Sequence, residues 1–246
     1  LRRRHGLPEH LPTEYVAQAC PSLPAVLASL QRLSVAEETL CLVTGDQNML
    51  PFAQQYATLA PEDRTSINRW LYVGAFGEAT GAALIRLCPV GTRVEREGTW
   101  ELVSASVDSV PGLGQDDWRG VISEDGAMEI NVKNVVPTYK AAMARQVPAA
   151  LDAIAALIEP DAPPGERRAA AIEALHAYCF HESNFHLLSE MAQDHAIPDK
   201  LVPRNCDRTG SLVGMSIFLT LSQALRTWEE RRAAGEQPKE FVAGSI

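Results

Sequence analysis

Residues 205–210 read Asn-Cys-Asp-Arg-Thr-Gly, and these residue types in this order could carry phosphoryl chemistry. Cys206 offers a thiol, Arg208 a guanidinium two positions on, and Thr209 a hydroxyl. Gly210 then opens the run "SLVGMSIFLTLSQALRTW", whose apolar residues at 212, 215, 218, 219 and 225 have the spacing of a buried helix. A thiol attacks a phosphate ester as the thiolate, and a helix N-terminus or a nearby arginine lowers its pKa toward neutrality. A loop that runs into a helix aims backbone N–H groups at phosphoryl oxygens. A guanidinium clamps two of those oxygens in fork geometry and stabilises the charge of the transition state. A neighbouring hydroxyl can hydrogen-bond the sulfur and help it leave.

This segment, with "VPRNC" before the cysteine and "DRTG" after it, resembles the signature loop of the cysteine-based phosphatases, C-x5-R-[ST]. The form closest to it occurs in bacterial secreted phosphoinositide phosphatases, and the likeness covers roughly residues 198–226. The resemblance implies Cys206 as nucleophile, Arg208 as phosphate clamp and Thr209 as the hydroxyl that stabilises sulfur. It also implies Asp207 as an orienting or acid-assisting carboxylate, with Asp199 and Asp194 as candidate general acids. Gly210, Lys200 and Arg204 would bind substrate. No metal and no cofactor are implied. The implied substrate is a phosphorylated lipid head group, with a phosphoprotein as the alternative and peripheral membrane contact as a corollary. Delivery from a bacterium into a host cytoplasm, as a virulence effector, is implied likewise. One residue, Asp207, stands where the family has five, so either four loop residues are missing or the chain is an inactive binding module. A third alternative is a group-transfer enzyme with its site in a central sheet.

Other constellations are weaker. His176, His181, His186 and His195 are concentrated in one stretch, and Glu182, His186 and Glu190 follow i, i+4, i+8 spacing. The H-E-x-x-H spacing of a zinc site is absent, and the expected reading is polar residues on a helix face or lining a cleft. No G-x-S-x-G elbow supports serine hydrolase chemistry. Gly112, Leu113 and Gly114 are followed by acids rather than a helix, which makes a phosphate loop a poor fit.

The chain has 246 residues, 46% of them hydrophobic, and a net charge of −9. An acidic chain lacks the basic face of a nucleic-acid binder, so no nucleic-acid partner is expected. The basic opening has no apolar region behind it, so no signal peptide is expected, and no run reads as a membrane span. The five cysteines are scattered without a C-x-x-C pair, which fits reduced thiols in a cytoplasmic setting. Cys20, Cys41, Cys88 and Cys179 sit among apolar neighbours and read as core filler.

The elements that would position these residues form an α+β chain, read as a single domain. Residues 1–80 read mostly helical, with "PAVLASLQRL" a helix and "EETLCLVT" a buried strand ending at Gly45. Residues 81–134 read as a central, mostly antiparallel sheet of four or five strands, from "ALIRLC", "TRVERE", "TWELVSASV", "WRGVIS" and "AMEINV". Helices pack on it from 135 to 235, with a break or restart at Pro148 and a loop at "EPDAPPGE". "ERRAAAIEALHAYCFHESNFHLLSEMAQDH" reads as one long or two consecutive helices. A strand-loop-helix nucleophile segment around Cys206 and a polar tail, 236–246, complete the chain.

Overall fold

The computed structural model describes residues 12–14, 16, 22–47, 54, 57–58, 76–92, 100–102, 105, 121–122, 128–129, 132–182, 185–236 and 243–245. The chain is α+β, with small antiparallel ladders and helices. Helix α2, Val132–Ile158, carries Met143, Val147, Leu151 and Ala155 at i+4 intervals, and this stripe is buried. Such spacing keeps four side chains on one face of a helix. The helix continues through Pro137 and Pro148. An interior proline costs about 3 kcal/mol, and burial of the stripe, at roughly 1.5–3 kcal/mol for each large apolar side chain, offsets it. The sequence-based break at Pro148 is therefore absent. The stretch Val136–Ile158 is long and apolar enough to cross a membrane by length and composition, at mean hydropathy 1.3. One stripe of this helix, Met143, Val147, Leu151 and Ala155, packs inward, while Val136, Leu157 and Ile158 are exposed. Leu151→Ala should cost 2–5 kcal/mol in urea unfolding, because Leu151 is 1% exposed at the centre of the stripe.

Helix α3, Pro164–Ala174, packs against α2 after the turn through 159–163. Pro164 lies in its first turn, where the missing N–H is no loss, and Glu166 complements the helix dipole there. Then comes a correction to the helical reading. Residues Ala177–Cys179 form a fully buried strand, β5, paired in parallel with β6, Ala243–Ser245. Tyr178, Cys179 and Phe180 are at most 1% exposed. A run that apolar reads the same on a buried strand and a buried helix, and its short length decides for the strand. The tail supplies the partner strand.

The antiparallel ladder joins β1, Thr39–Gln47, to β2, Ala79–Leu87, from Thr39↔Leu87 to Gln47↔Ala79. Strand β1 was expected to be buried, yet Leu40 and Leu42 are exposed while the alternate face packs inward. Of the rest of the expected central sheet, the described residues include one short antiparallel pair, β3 Val121–Ile122 with β4 Met128–Glu129. "TRVERE" lies almost wholly outside the described residues, and the described part of "TWELVSASV" is not a strand. Gly45 and Gly81 let helix α6, Ser216–Ala233, approach the ladder. A Cβ on Gly81 would come 2.6 Å from the Met215 methyl and 3.3 Å from the Phe218 ring.

Candidate active site

His181 leaves the carboxyl end of β5 and is 7% exposed. Its Nδ1 lies 3.0 Å from the Val213 carbonyl oxygen and 3.2 Å from Ser216 Oγ. Ser216 Oγ gives its own proton to Val213 O at 2.8 Å and accepts from Glu182 N–H at 3.2 Å. Both partners of Nδ1 are thus acceptors, which assigns the imidazole proton to Nδ1 and leaves Nε2 with a lone pair. Burial lowers the histidine pKa to about 4, with the Val213 hydrogen bond opposing it. The ring is therefore neutral at physiological pH. Tyr139 donates its hydroxyl proton to the His181 carbonyl at 2.8 Å and sets its ring edge-on to the imidazole, 5.9 Å between centroids.

Val213 opens a 3₁₀ turn, Val213–Met215, and has φ 50°, an unusual conformation for a β-branched residue. Gly210 also has positive φ, 67°. These two positions break the long helix that the apolar spacing suggests, and α6 starts only at Ser216. The segment between them is tied to the other half of the chain. Ser211 bridges Phe76, and Gly77 N–H donates to Ser211 O at 3.0 Å. Helix α1, Ser22–Gln31, and strands β1 and β2 pack on the same 3₁₀ turn. Helix α1 thus packs on the turn that holds His181. Cys20 lies outside the described residues.

Cys206 begins a single helical turn, α5, Cys206–Thr209. The N–H groups of Asn205 and Cys206, which a phosphate would need, both donate to the Glu182 carboxylate, at 2.6 and 2.5 Å. Burial first, then the adjacent Glu182 and Asp207 carboxylates, push the Cys206 thiol up to about 11. A nucleophilic thiol needs the reverse. The turn closes on itself, with Arg208 and Thr209 N–H donating to Asn205 O and Gly210 N–H to Cys206 O. The short cysteine–arginine spacing thus forms one helical turn, not an anion-gripping loop. Thr209 Oγ1 bonds the Asn205 and Gly210 carbonyls. Asp207 and Arg208 are exposed. Asp199 pairs with Arg204, and Lys200 and Asp194 are exposed. The residues immediately before Cys206 form no strand: Asp199–Leu201 is a 3₁₀ turn.

Of the remaining histidines, His176 packs edge-on to Trp228 and His186 is exposed. Glu190 pairs with Lys140. Among the described residues, no three His, Cys, Asp or Glu side chains converge on a metal position. Sequence reasoning placed His181 among polar histidines on a helix face or lining a cleft. The available signal was the buried β-prone run "AYCF" delivering His181 to a strand end.

No protein-family model matches the sequence, and no curated protein matches it. Solved structures do. The chain is similar to 3-oxoacyl-(acyl carrier protein) synthase III from Pseudomonas aeruginosa, with 23% identity and TM-score 0.62, over 92% of this chain and 62% of that one. It is similar to the same synthase from Xanthomonas oryzae, with 13% identity and TM-score 0.63, over 99% and 64%. It is also similar to the priming β-ketosynthase of the R1128 polyketide pathway, with 18% identity and TM-score 0.59, over 92% and 60%. The chain thus spans less than two thirds of these synthases' length. The shared feature is the fold, the thiolase type of the β-ketoacyl synthases. This likeness overturns the phosphatase resemblance. With it fall the phospho-cysteine hydrolase, its pseudophosphatase variant, and the phosphoinositide and phosphoprotein substrates.

Proposed function

We propose that this chain carries acyl-transfer chemistry of the condensing-enzyme kind, with Cys20 as nucleophile and His181 as its base. The observation that carries the reading is the imidazole of His181: buried and neutral, with its Nδ1–H donated to the Val213 carbonyl, so that Nε2 can accept a proton. Cys20 is the cysteine closest in sequence to α1, the helix that packs on the 3₁₀ turn holding His181. In the step proposed, Nε2 takes the Cys20 proton while sulfur attacks the carbonyl of an acyl thioester. The tetrahedral intermediate collapses to acyl-Cys20, and the departing thiolate takes the proton back from Nε2. The acyl group then passes to a carbon nucleophile, the reaction class that the names of the similar synthases indicate. An acyl thioester on a carrier protein or on coenzyme A is the substrate class.

The test is intact-mass analysis after incubation with short and long acyl-coenzyme A, followed by peptide mapping. One acyl group should appear on Cys20, and Cys20→Ser should lose it. Acylation mapped to Cys206, or no acyl-enzyme with any chain length, would sink the reading.

A further inference from the structure

Glu182 directly follows His181 and is 1% exposed. Its carboxylate accepts three hydrogen bonds: from Asn205 N–H at 2.6 Å, Cys206 N–H at 2.5 Å and Asn205 Nδ2 at 3.3 Å. Its own backbone N–H donates to Ser216 Oγ at 3.2 Å. One residue therefore bonds both ends of the segment 205–216, the segment whose Val213 carbonyl holds the His181 proton. A buried carboxylate is an expensive way to cap a four-residue turn, since the first residue's own side chain usually does it from an exposed position. Here Asn205 makes no side-chain cap and turns its amide toward Glu182 instead. The site thus carries a carboxylate that reaches 23–24 residues along the chain for a local task.

We propose that Glu182 is a positioning residue for His181. It fixes the start of the 205–216 segment relative to the strand end, so that Val213 O stays within hydrogen-bond reach of Nδ1. That contact keeps the proton off Nε2 and the lone pair available. The consequence for catalysis rests on the acyl-transfer reading; the effect on the imidazole does not. Glu182→Gln is the informative change. Its amide can accept through one oxygen only: with that oxygen in the Oε2 place, the Asn205 and Cys206 N–H groups lose their charged acceptor and the NH2 faces Asn205 Nδ2, donor against donor. The turn should shift and Val213 O should leave its place.

The measurement is nitrogen-15 NMR of histidine-labelled full chain, together with single-turnover acylation of Cys20 by an acyl-coenzyme A. Wild type should show one His181 tautomer, protonated on Nδ1. Glu182→Gln should show both tautomers in exchange and acylate roughly 10–100-fold more slowly. An unchanged tautomer and rate, with only the melting temperature lowered, would overturn the proposal. If Glu182→Gln does not fold, Asn205→Ala carries the test: it removes one of the three donors and should mix the tautomers partially. An unmixed Asn205→Ala spectrum then overturns the proposal. A tautomer change without any acylation, even of wild type, would uphold Glu182 as positioning while removing the acyl-transfer reading.

Discussion

His181→Ala should slow acylation of Cys20 by roughly 10²–10⁴-fold, the usual contribution of a positioned base, and should also flatten the acid limb of the stability curve. The second effect follows from linkage. Burial holds the folded-state pKa at about 4, whereas an unfolded histidine titrates near 6.5. Between those values the unfolded chain binds a proton that the folded chain refuses, so stability rises with pH across that window. The contribution of neutral His181 is complete above about pH 6.5 and is lost as pH falls through 4. Its full size is about 3 kcal/mol, from about 1.4 kcal/mol per pKa unit. Urea unfolding of wild type and His181→Ala at a series of pH values from neutral down to 4 reads the difference directly. Parallel slopes for the two proteins would show that His181 is not held neutral by its site. Because the base is neutral over the same range, wild-type acylation should keep its His181 contribution well below pH 6. A rate that fell with an apparent pKa near 6.5 would contradict the buried imidazole.

The parts of this chain that were legible in the sequence are those whose periodicity has a single reading. The helix after Pro137 shows its face in residues 143, 147, 151 and 155, and the run around Leu42 reads as a strand although its exposed face does not show. The loop at 159–163 announced itself through its prolines. The site was not legible, for physical reasons that differ by residue. "AYCF" is apolar on every position, so it carries no period, and its strand character comes from β6, more than sixty residues later. The helix expected from Gly210 onward fails because Gly210 and Val213 take positive φ, which the spacing of Leu212 and Met215 does not encode. Cys206 attracted attention because its local sequence suits an anion. What a local motif cannot show is that Glu182 already occupies the amides in question. The same carboxylate that disqualifies Cys206 as a nucleophile ties His181 to its acceptor, so the misleading motif and the candidate site share one residue.

Gly77→Ala should be the most damaging glycine-to-alanine change among the described residues. A Cβ at Gly77 would overlap the carbonyl oxygen of Thr209 and lie 3.0 Å from Leu212 Cδ2. The first obstacle is backbone, which cannot rotate aside as a side chain would. It also cannot retreat cheaply, because Gly77 N–H holds Ser211 O at 3.0 Å and Phe76 bridges Ser211. Relief requires the 76–77 and 209–211 segments to part, which breaks that hydrogen bond and moves the segment that leads to Val213. Overpacking against fixed structure costs typically 1–3 kcal/mol, and the lost backbone hydrogen bond adds about 1 kcal/mol, so roughly 2–4 kcal/mol is expected. Gly91→Ala calibrates the result. Gly91 has φ 86° with nothing within 4 Å of its would-be Cβ, so only backbone strain is charged there, about 1 kcal/mol. In urea unfolding, Gly77→Ala should lose clearly more stability than Gly91→Ala, and in NMR it should disturb the His181 tautomer, which Gly91→Ala should leave alone. Equal losses with an unperturbed His181 would mean that the crossing at Gly77 does not bear on the site.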